Sequence, residues 1–160
     1  MKIKPNAKFM KLALKEAGKN ISRNMSGGPF GACIVKDDRV IAVSRNTVLK
    51  QDATCHAEVN AIRAASKKLK TYDLSGCVIY STTEPCPMCF SAIHWAGIDT
   101  IIFGNTIADA KKVGFNELYI SNAKMKKIGK VKMNIISGFM RSKVNQLYKK
   151  WNSLPNKKLY

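Results

Sequence analysis

Two short stretches of the sequence decide the fold, Thr54-Cys55-His56-Ala57-Glu58 and Glu84-Pro85-Cys86-Pro87-Met88-Cys89. The imidazole of His56 and the thiols of Cys86 and Cys89 are donors that zinc prefers, and a set of three leaves the fourth tetrahedral position for water. Two thiolates cancel the charge of the dication, and the pKa of a water on such an ion falls towards about 7. The pattern therefore predicts one zinc ion (Zn²⁺) per chain, at a reactive centre.

Glu58 is the candidate catalytic residue. It follows the histidine by two residues and is not required as a ligand. At that spacing its carboxylate can take a proton from an activated water and deliver it to a ring nitrogen of a substrate. The alternative is a structural zinc site with no open coordination position, in which Glu58 is only an acidic residue at a helix start. We favour the catalytic role because H-x-E followed by P-C-x-x-C is the pattern of zinc-dependent nucleobase deaminases.

The composition is that of a globular chain. With 160 residues and 46% hydrophobic content, we expect a single domain over residues 1–160. No run approaches the roughly 18 apolar residues of a membrane helix, and the basic N-terminal stretch leads into a helix pattern without an apolar signal core. We therefore expect a cytoplasmic protein without a membrane partner. Cys33, Cys55 and Cys77 are interpreted as packing residues, and a disulfide framework is not expected.

The net charge is strongly positive, +18, from 28 lysines and arginines against 10 acidic residues. A surface of this kind attracts polyanions. Most of the basic residues are lysines, however, and they are spread along the chain. Phosphate recognition prefers the bidentate guanidinium of arginine. We therefore interpret the charge as a solvated surface and keep nucleic acid as a less favoured partner.

The hydrophobic pattern predicts alternating helices and strands. Asp37-Asp38 is the expected turn of a hairpin, Thr54 the expected N-cap of the helix that carries His56, and Gly97 the expected end of the next helix. Strand, helix and strand over residues 77–104 form a crossover, so part of the sheet is parallel and both zinc-ligand stretches lie at helix N-termini. The predicted helices are 5–21, 54–69, 84–96 and 139–151, the predicted strands 31–36, 40–48, 77–81, 100–104 and 131–136, and residues 24–28 a glycine-rich loop.

From about Gly27 to Glu117 the sequence resembles the cytidine deaminase-like superfamily, and within it the small bacterial guanine deaminases. The zinc signature carries this resemblance without choosing a substrate, since members act on cytosine, cytidine, deoxycytidylate, guanine, and adenosine or cytidine in nucleic acids. The resemblance implies an α/β fold, a three-layer α/β/α sandwich around a five-stranded mixed sheet. It also implies a homodimer with an exchanged C-terminal segment.

Three candidate substrate contacts come from this resemblance. Gly27-Gly28-Pro29-Phe30-Gly31 is similar to a guanine deaminase loop whose phenylalanine, here Phe30, packs on the purine; the alternative is a core residue. Asn46 matches an asparagine that hydrogen-bonds the base, and is otherwise a turn residue. His94-Trp95 resembles a pattern in which Trp95 walls the pocket, with a core anchor as the alternative.

Three further candidates complete the expected site. Glu117 stands where guanine deaminases carry an acid that binds the guanine edge, and a carboxylate there accepts charge-assisted hydrogen bonds from the N1–H and the exocyclic amine. The tail 154–160 is similar to tails that close over a neighbouring subunit's pocket, which makes Tyr160 a lid; the alternative is a frayed end. Backbone N–H groups near Ala57 and Cys86 are expected to support a tetrahedral intermediate.

The tRNA adenosine deaminases are the main alternative, because they share His-Ala-Glu and Pro-Cys-Pro-Met-Cys. The lysine-rich last helix and the net charge favour that alternative, whereas Trp95, Glu117 and the tail favour guanine. A deaminase of cytosine or of another nucleoside also stays open. A non-catalytic zinc-containing module that binds nucleic acid is a weaker alternative, because it has no use for Glu58. We expect hydrolysis of guanine, a free purine base, to xanthine and ammonia.

Overall fold

A five-stranded mixed sheet forms the middle of the fold. In the computed structural model, which describes residues 3–22 and 25–160, β1 is antiparallel to both β2 and β3, whereas β3, β4 and β5 run parallel. The order across the sheet is β2-β1-β3-β4-β5, so the predicted parallel crossover is present. The strands are β1 (Gly31–Lys36), β2 (Arg39–Arg45), β3 (Cys77–Thr83), β4 (Thr100–Asn105) and β5 (Asn134–Ile136).

Helices cover both faces of this sheet. Within the described ranges these are α1 (Ala7–Gly18), α2 (Ala57–Leu69), α3 (Pro87–Trp95), α4 (Ile107–Lys112), α5 (Asn122–Gly129) and α6 (Arg141–Asn152). One apolar layer joins the sheet to α2, α3 and α5. On the other face, α1 packs on the sheet and α6 contacts both α1 and β4. The three-layer α/β/α sandwich expected from the sequence is confirmed.

Each central strand supplies both apolar layers. In β1, Ile34 belongs to the layer of α2 and α3, and its neighbour Cys33 belongs to the layer of α1. In β3, Ile79 belongs to the layer of α2 and α3, and its neighbour Tyr80 belongs to the layer of α1. Because successive side chains of a strand point to opposite faces, a strand covered on both sides is apolar at nearly every position. This is why β3 and β4 were recognisable as short continuous apolar runs.

The start of α2 differs from the prediction. The helix begins at Ala57 with His56 as its N-cap, so the prediction of Thr54 as the N-cap is wrong. The Thr54 hydroxyl instead donates a hydrogen bond to Asp52. His56 has an extended backbone at the helix entrance, and its side chain does not cap the helix.

Other boundaries agree more closely. Asp37 and Asp38 both have positive φ, 48° and 56°, which is the conformation of a tight two-residue hairpin turn. α3 begins at Pro87, where a proline loses no helical hydrogen bond, and it stops before Gly97, whose φ is 76°.

The prediction from the sequence was less accurate for the region after β4. The helices α4 and α5 were not predicted, and β5 is shorter than the predicted strand 131–136. The predicted loop 24–28 begins at Asn24, which lies outside the described residues. No helix of the described ranges is long and apolar enough to cross a lipid bilayer.

Candidate active site

Three metal-binding side chains meet where α2 and α3 begin. His56 is the N-cap of α2 and Cys86 the N-cap of α3, while Cys89 lies in the first turn of α3. One ring nitrogen of the histidine and the two sulfur atoms all lie within 4.8 Å of one another. The distance from the Cys86 Sγ to the His56 Nδ1 is 3.6 Å.

This donor set fits zinc. Bonds of about 2.3 Å to sulfur and about 2.0–2.1 Å to nitrogen place two tetrahedral ligands about 3.6 Å apart, in agreement with the distance between Cys86 and His56. Within residues 3–22 and 25–160, no fourth His, Cys, Asp or Glu belongs to the group. A structural zinc site normally has four protein ligands. The geometry therefore leaves one position of the metal open to a small molecule.

Hydrogen bonding prepares the two thiols for a metal. The hydrogen bond from Cys89 lowers the pKa of Cys86 to about 4, and His56 contributes in the same direction. The same hydrogen bond raises the pKa of Cys89, as do its burial and the charge of Glu58. Cysteine binds zinc as thiolate, so binding of the metal releases any proton that remains on Cys89.

Glu58 lies beside these ligands in the first turn of α2, and it is 5% exposed. The Ser81 hydroxyl donates a 2.8 Å hydrogen bond to its Oε1, and the Cys89 Sγ lies 3.5 Å from its Oε2. Burial raises the pKa of this carboxyl group. One oxygen is therefore held in place while the other faces the metal ligands, an arrangement suited to moving a proton.

A cavity of about 290 Å³ opens above these groups. It brings together His56, Glu58 and Cys86 with three of the predicted substrate contacts, Phe30, Glu117 and Tyr160. The remaining lining residues are Val48, Ala53, Thr83, Glu84, Phe115 and Asn116. A buried carboxylate, a metal site and aromatic rings thus share one cavity large enough for a small molecule.

Comparison with known proteins defines the class of this site. The family described as the cytidine and deoxycytidylate deaminase zinc-binding region matches residues 3–105. The chain belongs to this deaminase family. Zinc binding by His56, Cys86 and Cys89, and deamination of a nucleobase or nucleoside, follow from membership together with the geometry above.

Relatives with two different substrates resemble the chain to a similar degree. Guanine deaminase of Bacillus subtilis (strain 168) is 43% identical over 113 residues, which cover 70% of this chain and 72% of the relative. The tRNA-specific adenosine deaminase of Buchnera aphidicola subsp. Schizaphis graminum (strain Sg) is 34% identical over 137 residues, 85% of this chain and 89% of the relative. A structure solved in complex with 8-azaguanine matches with a TM-score of 0.82, at 28% identity, over 91% of this chain and 84% of that chain.

Phe30 forms part of an aromatic wall of the deaminase cavity. Its ring centroid lies 4.7 Å from that of Phe115 and 6.2 Å from that of Tyr148. A Cβ atom on Gly28 would lie 2.5 Å from the Phe30 ring. Only glycine therefore allows the backbone to approach this ring so closely.

The tail folds back onto its own chain. The Gly28 N–H donates a 2.9 Å hydrogen bond to the Tyr160 hydroxyl, and the Asn116 N–H donates a 3.1 Å bond to the Tyr160 carbonyl oxygen. The Tyr160 ring also packs against Phe115, with centroids 5.5 Å apart. In this single chain Tyr160 thus forms part of the cavity lining, whereas exchange of the tail between subunits stays a prediction.

Glu117 is the second acidic group of the cavity. Burial, with the nearby charge of Cys86, raises the pKa of this carboxyl group to about 7, and Glu58 acts in the same direction. Its position between α4 and α5 places it in a stretch without regular secondary structure. The cavity therefore has one acid beside the metal ligands and another in a loop wall.

Asn46 and Ala57 are buried next to the cavity. The Asn46 Oδ1 accepts a 3.1 Å hydrogen bond from the Val48 N–H, whereas its Nδ2 makes no close hydrogen bond among the described residues and faces the Tyr160 hydroxyl. A Cβ atom on Gly27 would lie 1.9 Å from that Oδ1, so glycine is required there. Ala57 is the first residue of α2 and fully buried. A buried donor without an acceptor is costly, and a bound ligand would satisfy it.

Trp95 does not reach the cavity of its own chain. Trp95 is 81% exposed and lines an open depression with Ile62 and Tyr72, so the prediction that it walls the pocket does not hold within a single chain. The reason is the length of α3, since the zinc ligands stand at its start and Trp95 at its end. Eight steps of about 1.5 Å separate Pro87 from Trp95, about 12 Å along the axis.

Polar residues at the end of β3 were not identified from the sequence. Ser81 orients Glu58, and Thr83 lines the cavity and forms a 2.6 Å hydrogen bond with the Tyr148 hydroxyl. A signal was present, because Ser81-Thr82-Thr83 ends an apolar strand directly before the cysteine motif. Ligands of parallel sheets bind at the carboxyl ends of the strands.

Proposed function

We propose that the chain hydrolyses guanine to xanthine and ammonia. The observation that carries this proposal is the half-buried Glu117 carboxyl group, which lines the same cavity as Glu58, His56 and Cys86. Guanine presents two donors on one edge, the N1–H and the exocyclic amine, and a carboxylate accepts both. Adenine presents an acceptor at N1, which a carboxylate repels. A site that accepts hydrogen bonds from donors on the base therefore disfavours adenine.

Two further contacts support a purine base. Phe30 offers an aromatic face at the cavity, and aromatic rings favour offset or edge contacts with other rings. The Asn46 Nδ2 makes no close hydrogen bond and faces the Tyr160 hydroxyl at the cavity, and such a donor suits an acceptor on the base. A relative of this chain was solved with the purine analogue 8-azaguanine.

Glu58 carries the proton transfers of the proposed reaction. A zinc ion held by His56, Cys86 and Cys89 would supply an activated water, whose pKa falls towards about 7. Glu58 takes one proton of the attacking water through the oxygen that Ser81 does not hold, and delivers it to N3 as the water oxygen bonds to C2. The second proton of the water passes through Glu58 to the amine, the C2–N bond breaks, and ammonia leaves xanthine behind. Backbone N–H groups at Ala57 and Cys86 would stabilise charge on the tetrahedral intermediate.

Deamination of adenosine in tRNA is the second candidate. The net charge of +18 favours it, because a basic surface binds the phosphate backbone. The tail argues against it: Tyr160 covers part of the cavity and is bonded to Gly28, which leaves less room for a folded RNA. A non-catalytic module that binds nucleic acid is weaker still, since Glu58 is intact and oriented by Ser81.

A homodimer is part of this proposal. It is supported by the exposed apolar face near Tyr72 and Trp95, which are 85% and 81% exposed, since apolar surface of this kind commonly marks contacts between proteins. Exchange of the segment 154–160 within the dimer, and the cytoplasmic location, remain predictions.

A substrate panel tests the function. Ammonia release is measured from guanine, guanosine, cytosine, cytidine, adenine and a tRNA anticodon stem-loop, with wild type and Glu117→Gln. We expect turnover of guanine and not of the stem-loop. Glu117→Gln should lower kcat/KM for guanine about 100-fold, because a charge-assisted contact to the base is lost. Asp99→Asn is the control, an exposed carboxylate outside the cavity. Inosine formation in the stem-loop with guanine inert would contradict the proposal.

A further inference from the structure

Glu84 is a buried carboxylate that the reaction does not use. It directly precedes Pro85-Cys86, the start of the ligand loop, and it is 8% exposed. Neither of its oxygens forms an ion pair with any residue in the described ranges. A buried charge without a cationic partner is stable only when several hydrogen bonds are directed at it.

The starts of two helices supply these hydrogen bonds. The Asn122 N–H donates to the Glu84 Oε1 at 2.8 Å, and the Ile107 N–H donates to the Oε2 at 3.1 Å. These are the first residues of α5 and α4, whose first-turn N–H groups lack acceptors within their own helices. A third bond joins the same parts, since the Asn122 Nδ2 donates to the Pro85 carbonyl oxygen at 2.6 Å.

One wall of the cavity runs between these two anchors. Phe115, Asn116 and Glu117 line the cavity within residues 113–121, which form neither helix nor strand. Loops of this kind are held by their ends. Because Glu84 belongs to the segment that carries Cys86, its two hydrogen bonds join that segment to the start of α4, the helix that precedes the loop, and to the start of α5, which directly follows it.

We propose that Glu84 is a positioning residue that sets the place of Glu117 relative to the zinc ligand Cys86, and thereby the affinity of the site for its base. This inference rests on the proposed role of Glu117 in binding guanine. A carboxylate suits the task because it has two acceptor oxygens, one for each helix. A glutamine has one oxygen, and its NH₂ group would face an N–H donor.

The variant Glu84→Gln tests this role. It should retain one zinc per chain and raise KM for guanine about 10-fold with kcat within about threefold, because the displaced contact is a binding interaction. The matched control is Asp109→Asn. Asp109 also accepts a hydrogen bond at the start of α4, from the Thr106 N–H, and pairs with Arg141, without contact to the ligand loop. It should lower the melting temperature without changing KM; an equal rise of KM in both variants would overturn the proposal.

A double-mutant cycle separates positioning from general destabilisation. In the Glu117→Gln background, Glu84→Gln should raise KM no further, because the contact it positions has already been lost. If the rise of KM in the double variant equals the product of the rises in the two single variants, the proposal is overturned.

Amide hydrogen exchange gives a readout that needs no substrate. Glu84→Gln should speed exchange throughout residues 113–122 at least 10-fold, whereas Asp109→Asn should speed it only around residues 106–110. Asn122→Ala removes only the bond to Pro85 and should shift exchange and KM in the same direction by less, which keeps the test available if Glu84→Gln does not fold. Unchanged exchange in residues 113–122 overturns the positioning role. Lack of guanine turnover by wild type rejects the proposed function instead, and leaves the exchange result to decide on Glu84.

Discussion

The two walls of the cavity are built in different ways. The wall that carries His56, Glu58, Cys86 and Cys89 comes from the first turns of two helices beside the central strand β3. The opposite wall comes from loop residues 113–121 and the tail 154–160. The family match follows the same division, since it covers residues 3–105 and ends before the loop wall. We infer that the reaction is fixed by regular elements and the choice of substrate by loops, which vary more readily.

Among the substitutions that test this comparison, removal of a metal ligand should have the largest effect on zinc content and turnover. Cys86→Ala should lose zinc and all measurable turnover, because two remaining ligands bind the ion weakly. Metal analysis and ammonia release measure this. Cys77→Ala is the control: it removes a buried thiol outside the metal site, and it should cost stability while keeping one zinc per chain. Full zinc content in Cys86→Ala would show that Cys86 is not a zinc ligand, and would contradict the description of this wall as a metal site.

The second effect should be that of Glu58→Gln, with a loss of about 10²–10⁴-fold in kcat, the usual contribution of a general acid–base group. Zinc content and melting temperature should stay close to wild type, since glutamine preserves the size of the side chain and can still accept from Ser81. Single-turnover assays of ammonia release measure the loss. A variant within a few-fold of wild type would place the proton transfer elsewhere.

Truncation of the tail tests the loop wall. Deletion of residues 157–160 should lower kcat/KM for guanine about 10-fold, because water then enters the cavity and weakens the electrostatic interactions within it. Zinc content should not change. Tyr160→Phe keeps the ring beside Phe115 and loses only the hydroxyl that accepts from Gly28, so it should have a smaller effect. Full activity of the truncated protein would show that the tail is dispensable.

The smallest effect on catalysis is expected from Trp95→Ala. The residue lies outside the cavity and is 81% exposed, so guanine turnover should stay within about twofold of wild type. Self-association should weaken if this face joins two chains, which sedimentation velocity measures against the control Leu118→Ala, another exposed apolar residue. A large loss of turnover with the dimer intact would show that Trp95 reaches the cavity of a partner.

The sequence predicted the metal wall better than the loop wall for physical reasons. His56, Cys86 and Cys89 are specified by donor chemistry and spacing, and β3 and β4 by apolar runs that only a doubly covered strand requires. The short helices α4 and α5 left no comparable periodicity. The position of Trp95 depends on where the far end of a helix lies in space, which spacing along the chain does not give.

The metal site also has a consequence for the assembly of the chain. His56 and Cys86 are 30 residues apart, with the whole of β3 between them. An ion that binds both joins α2 to α3 and binds the folded state more tightly than the unfolded chain, in which His56 and Cys86 are not held together. At a free zinc concentration of 100 times the dissociation constant, such binding adds at most about 2.7 kcal/mol to the free energy of unfolding. The metal site therefore also stabilises the fold by linking two helices. A chelator should lower the thermal stability of the protein together with its activity.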